Sequence, residues 1–74
     1  MKLTEDQITA LKIIAEDCPR GVDMAYDFTR IIKKIGGLKE DVDVLLQQLH
    51  SMGYIDYVSF NPVNLGRVKL IKLG

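Results

Sequence analysis

The chain of 74 residues has few of the residues that cross-link a small fold. Its one cysteine, Cys18, has no partner for an intramolecular disulfide, and its one histidine, His50, belongs to no cluster with metal-ligand spacing. We therefore expect neither a disulfide framework nor a metal site, and we predict no cofactor. A chain of this length buries only about 60% of its unfolded surface, so its stability has to come from a well-filled apolar core.

Long apolar runs and an excess of one charge are also missing. No run approaches the roughly 20 apolar residues that cross a bilayer, and the start of the chain lacks the apolar segment of a secretory signal. Ten Lys and Arg balance ten Asp and Glu, so the whole chain has no net attraction for nucleic acid or for an anionic membrane. We expect a cytoplasmic protein that does not bind membranes.

The residues that are present indicate a globular domain, since 47% are hydrophobic and 27% are charged. A first helix is predicted over about residues 4–17. Thr4 and Gln7 have the spacing of a capping box, and apolar residues follow with helical periodicity. Ile13 falls outside the apolar stripe, next to Asp17 on the polar side, and therefore predicts a second contact such as a dimer seam.

A second helix is predicted over about residues 23–35. Asp23 is a plausible N-cap, the apolar residues from Met24 to Ile35 share one helical face, and Gly36 follows as a helix terminator. The opposite face of this helix would carry Tyr26 and three bases, which are Arg30, Lys33 and Lys34.

A third helix is predicted over about residues 39–52, with acidic residues in its first turn and Gly53 at its end. β-forming residues then occupy about 54–60 and 67–73 on either side of a turn-forming segment, which predicts an antiparallel hairpin. The alternation of apolar residues in the two strands is too imperfect to say which face of the hairpin is buried.

The stretch from Val42 to Ile55 resembles the third helix of winged-helix proteins. In that family a valine is followed by paired leucines, here Leu45 and Leu46, then by another leucine, and after three residues by a glycine, an aromatic or aliphatic residue and an isoleucine. The resemblance covers nearly all of the chain. It implies an α+β, mainly α fold, namely a three-helix winged helix-turn-helix with a C-terminal two-stranded β-hairpin, the wing, as a single domain over residues 1–74.

The resemblance also implies a function and a set of contacts. The third helix would lie in the DNA major groove, and the wing would touch the neighbouring backbone or the minor groove. Position by position, the groove-facing residues would be Lys39, Glu40, Asp43, Val44, Gln47 and Gln48. The wing contacts would come from Asn61, Asn64, Arg67 and Lys69.

The resulting prediction is a small protein that binds double-stranded DNA, a transcriptional regulator acting as a homodimer. Arg67 and Lys69 would contact phosphates, while Gln47 and Val44 would contact base edges.

A second interpretation is a winged helix used as a protein-interaction module, whose acidic third helix contacts a basic partner surface. In that case Val44 and Ile13 are the candidate partner contacts, because the pattern places each of them among polar neighbours. We do not expect an enzyme, since the chain offers no Gly-rich phosphate loop and no nucleophile paired with a base.

Overall fold

The computed structural model describes residues 3–59 and 65–72, which form three helices and one three-stranded antiparallel sheet. The prediction of an α+β, mainly α fold agrees with this architecture. Within the described residues, no helix has the length and apolar character that crossing a membrane requires. The elements in chain order are α1 (Glu5–Asp17), β1 (Asp23–Asp27), α2 (Thr29–Ile35), α3 (Lys39–Ser51), β2 (Ile55–Ser59) and β3 (Leu65–Leu70).

The capping box predicted for α1 is confirmed. The backbone N–H of Gln7 donates to Thr4 Oγ1 at 3.2 Å, and the backbone N–H of Thr4 donates to Gln7 Oε1 at 2.8 Å. The prediction that Ile13 is exposed on this helix is wrong, because its side chain is only 6% exposed. The apolar stripe of α1 is wide enough to include Ile13 because α2 packs beside it, so the argument for a dimer seam at Ile13 no longer holds.

The prediction of one helix over 23–35 is wrong for its first five residues, which form β1. In this strand Met24 and Tyr26 are half-buried and alternate with exposed neighbours. Met24 and Phe28 are spaced four apart, which suits a helical face and also one side of a strand followed by a turn. The partner strand β3, whose residues lie 38 to 46 positions from their partners in β1, decides between the two.

The sheet has the order β1–β3–β2, with both pairs antiparallel. The predicted pairing of the two C-terminal strands is therefore confirmed, and the sheet has a third strand that was not predicted. Gly66 lies opposite Tyr26 on one side and Ser59 on the other. A Cβ atom at Gly66 would lie 2.3 Å from the carbonyl oxygen of Val58 and 2.8 Å from the Phe28 ring, so this position requires glycine.

The end of α3 leads directly into β2. Gly53 has φ +83°, a left-handed conformation that glycine adopts without a steric cost, and the N–H of Tyr54 donates back to the carbonyl of Leu49 at 3.1 Å. The chain thereby turns from helix into strand within three residues. The buried core lies between the helices and the inner face of the sheet and contains Ala10, Leu11, Ile13, Ile14, Cys18, Phe28, Ile31, Val42, Leu46, Leu49, Ile55, Val68 and Leu70.

Candidate nucleic-acid interface

One face of α3 is left uncovered by the rest of the described chain. Val42, Leu46 and Leu49 on the inner face are buried, whereas Val44 is 56% exposed. The positions on the same outer face, three, four or seven residues from Val44, are exposed as well and include Glu40, Gln47 and Ser51. This outer face, defined by Glu40, Val44, Gln47 and Ser51, is called the third-helix face below.

Asp43, predicted as a groove contact, instead joins α3 to the sheet. The hydroxyl of Tyr57 donates to Asp43 Oδ1 at 2.5 Å, and Gln47 Nε2 donates to Asp43 Oδ2 at 3.0 Å. Burial, together with the hydrogen bond to the Asp43 carboxylate, raises the pKa of Tyr57 to about 12. Asp43 is therefore occupied by contacts within the chain, and no pattern in the sequence indicates that Tyr57 is its partner.

Gln48 is also held by a contact within the chain. Its Oε1 accepts a hydrogen bond of 2.9 Å from Nε2 of Gln7, which fixes the N-terminal part of α1 to α3. Gln7 is buried although it is polar, and its capping bond and this contact satisfy its amide. Thr4, Gln7, Val44, Gln48 and Met52 line a shallow groove between the two helices.

The predicted wing bases lie on the outer face of the sheet. Val68 and Leu70 are buried on the inner face, so the alternating residues Arg67 and Lys69 project from the opposite face, away from the core to which α3 contributes. Arg67 Nη2 makes an ion pair of 3.1 Å with Asp23 on β1. The structure therefore does not bring these bases together with the third-helix face.

The remaining predicted contacts are Lys69, Lys39 and two asparagines between β2 and β3 in the sequence. Lys69 lies opposite Asp23 on β1 and opposite Asp56 on β2. Lys39 begins α3 and lines a small crevice with Asp43 and with Ser59 and Leu65, the last residue of β2 and the first of β3. The positions of Asn61 and Asn64 lie outside the described residues.

A second charged surface lies between α1 and α2. Its lining includes four bases, Lys12, Arg30, Lys33 and Lys34, and one acid, Glu16, with Thr9 and Ile13 completing the set. We call it the α1–α2 groove. Arg30 donates to Asp17 at 2.7 Å and to Glu16 at 2.9 Å, while within the described residues the three lysines make no ion pair.

Tyr26, which was predicted to share a helical face with Arg30, lies on β1, and its hydroxyl donates to Asp17 at the end of α1. This bond is the main cause of a pKa below the ordinary value at Asp17, and the neighbouring Arg30 guanidinium adds to it. Burial and the same bond raise the pKa of Tyr26. Tyr26 is therefore a packing residue between the sheet and α1.

Comparisons of the chain with protein-family models, with curated proteins and with solved structures give no match. The function proposed below therefore depends on the chain's own residues and on their geometry.

Proposed function

We propose that the chain is a winged-helix domain that binds duplex DNA through the third-helix face and the hairpin β2–β3, and that it acts as a transcriptional regulator. The observation that carries the proposal is the exposed outer face of α3. This helix follows α2 after a three-residue turn and runs directly into an antiparallel strand pair, which is the arrangement that the sequence resemblance predicts. A helix exposed along one side can enter a major groove while its other side stays in the core.

The side chains of this face suit contacts with base edges more than contacts with phosphates. Gln47 can pair with adenine through its amide, and Val44 can contact a thymine methyl group. Gln47 would first have to release Asp43, but this bond is exposed, and an exposed polar bond within the chain has a small net free energy because water competes for it.

Binding to phosphates has to come from the bases outside the third-helix face. The Arg67–Asp23 ion pair joins two side chains that are each about half exposed, and such pairs contribute only about 0–1 kcal/mol. Arg67 can therefore exchange Asp23 for a phosphate at little cost, and because it lies on the outer face of the sheet, that phosphate would belong to the backbone beside the groove and not to the part that the third-helix face contacts. Because so few bases are available and Glu40 lies on the binding face, we expect weak affinity and a salt slope of only a few units.

The direct test is a titration of the protein with a random-sequence duplex at low and at moderate salt. We expect binding at low salt and a fall in affinity as the salt concentration rises. The absence of detectable binding at low salt would overturn the proposal.

Two single substitutions test the assignment of the surface. Arg67→Gln should weaken binding and reduce the salt slope by about one, whereas Glu40→Gln should strengthen binding because it removes an acid from the face. Lys12→Gln is the matched control, since it removes one positive charge from the α1–α2 groove. Equal losses for Arg67→Gln and Lys12→Gln would mean that net charge alone governs binding, and the proposed surface would then be wrong.

A second candidate function, a protein-interaction module, is favoured by the exposure of Val44 beside the groove that Met52 helps to line. Exposed apolar side chains in a groove suit a protein partner more than a phosphate backbone. Val44→Lys separates the two candidates, because an added cation should maintain or raise DNA affinity but should abolish docking of an apolar partner segment. If the substitution leaves DNA unbound and abolishes partner binding, the second candidate replaces the first.

A further inference from the structure

The α1–α2 groove is the most basic surface of the described chain that is built from two helices. Four bases and one acid line it, and Ile13 and Thr9 contribute apolar atoms. Glu16 is already bound to Arg30, so the lysines Lys12, Lys33 and Lys34 carry the charge that remains available. The groove therefore suits an occupant with at least two carboxylates and one apolar side chain.

The turn before α3 has this composition. Leu38 is 69% exposed, the largest exposure among the large hydrophobic residues of the described chain. Two exposed acids, Glu40 and Asp41, follow it in the first turn of α3. The backbone N–H of Leu38 donates to Asp41 Oδ2 at 3.2 Å, which fixes the turn without burying either side chain.

We propose that the α1–α2 groove of one copy receives the segment Leu38–Asp41 of a second copy. Leu38 would enter between the helices near Ile13, and the carboxylates of Glu40 and Asp41 would meet the three lysines. Charge complementarity within one chain carries the proposal, since four bases and one acid line the groove, and the segment Leu38–Asp41 carries two acids, Glu40 and Asp41, and one base, Lys39.

The contact joins two different surfaces, so it is heterologous, and nothing in the contact itself closes it into a symmetric pair. Such contacts form rings or open chains of subunits. The contact area of a single turn in a groove is small, which is typical of weak association. We therefore expect reversible assembly that grows with protein concentration and that salt reverses.

Sedimentation equilibrium of the whole chain without DNA tests the proposal independently of the proposed function. At low salt the average mass should rise above the monomer mass of 8.4 kDa as the concentration increases, and it should return to 8.4 kDa at high salt. A monomer at every concentration overturns the proposal, and so does a dimer that salt does not affect.

Neutralised variants identify the two surfaces. Lys33→Gln/Lys34→Gln removes the groove charges, and Glu40→Gln/Asp41→Asn removes the acidic charges, so each variant alone should stay monomeric. An equimolar mixture retains one intact groove and one intact acidic turn, and it should form a complex of two chains and no larger species. The absence of a complex in the mixture would contradict the head-to-tail contact.

Leu38→Ala tests the apolar part of the contact. This side chain is exposed, so its truncation should leave the unfolding temperature unchanged while lowering the average mass at low salt. Asp6→Asn, which removes an exposed acid from α1, is the control and should assemble like the unmodified chain.

If the groove serves nucleic acid instead, Lys33→Gln/Lys34→Gln will weaken DNA binding and leave the average mass unchanged, and that result would also overturn the proposal.

Discussion

Two tyrosines join the two edge strands of the sheet to different helices. Each tyrosine donates a hydrogen bond to a carboxylate. Tyr26 on β1 donates to Asp17 at the end of α1, and Tyr57 on β2 donates to Asp43 in α3. The ring of Phe28 lies between them, with centroid distances of 5.2 Å and 5.4 Å and edge-to-face geometry. Both bonds therefore belong to one aromatic cluster on the inner face of the sheet.

The two carboxylates differ in the hydrogen-bond donors described above. Asp17 also binds the Arg30 guanidinium, whereas Asp43 accepts hydrogen bonds from Tyr57 and Gln47. Part of the negative charge at α3 therefore has a structural origin, because Asp43 is the acceptor that fixes β2 to the helix. The acidic character of a predicted binding helix does not by itself identify a binding partner.

The largest expected loss of stability comes from a substitution that displaces the Phe28 ring between the two tyrosines and so disturbs both tyrosine–carboxylate bonds. Gly66→Ala would place a Cβ atom against Val58 and Phe28, and the resulting shift of the ring and of β3 should lower the free energy of unfolding by about 3 kcal/mol. Chemical denaturation measures this loss. Gly37→Ala is the control, because its Cβ would meet Asp41 at an ordinary 3.5 Å. Equal stability of the two variants would show that the predicted clash is relieved without cost.

A smaller loss of unfolding free energy is expected when only the bond between Tyr57 and Asp43 on α3 is removed. Tyr57→Phe keeps the ring against Phe28 and removes the bond to Asp43, so it should cost about 1 kcal/mol of unfolding free energy at neutral pH. The pKa of Tyr57 is raised from 10.0 to about 12, so this bond stabilises the fold fully below pH 10 and loses its effect as the pH rises through 12. The difference between Tyr57→Phe and the unmodified chain should therefore disappear at the alkaline end.

If Tyr57→Phe has the same relative stability at pH 9 and above pH 12, the bond to Asp43 does not stabilise the fold. The corresponding substitution on the other side, Tyr26→Phe, provides the comparison under the same conditions.

The smallest effect is expected at Asp17, which lies at the surface. Asp17→Asn removes the charge that binds Arg30 and weakens the bond from Tyr26, at a cost below about 1 kcal/mol because solvent screens the pair. The folded-state pKa of Asp17 is lowered from 3.8, so its contribution is present above pH 3.8 and is lost as the pH falls through the folded value. Thermal unfolding at pH 7 and near pH 2 should show a difference only at pH 7, and a constant difference would refute this account.

The sequence predicted the structural features that depend on residues close together along the chain. Thr4 and Gln7 form the predicted capping box, and α1, α3 and the pairing of β2 with β3 agree with their patterns within a few residues. Each of these features depends on spacing within a few residues along the chain. Side-chain periodicity and turn-forming residues report such local preferences directly.

The candidate site was harder to predict, because its state depends on distant partners. The sequence identified the exposed residues Val44 and Gln47, but it did not indicate that Tyr57 occupies Asp43 or that Gln7 binds Gln48. It also placed Ile13 on the surface, where the packing of α2 buries it. Whether a side chain is hydrogen-bonded within the fold depends on residues far away in the sequence. The periodicity of neighbouring residues carries no information about them.

The sequence by itself determined three helices, a C-terminal pair of strands and a neutral total charge. Only the tertiary structure decided that residues 23–27 are a strand and that four bases line one groove between α1 and α2. The physical reason is the same in both cases. A strand needs a hydrogen-bonding partner and a charged surface needs neighbours, and here both come from segments far apart along the chain.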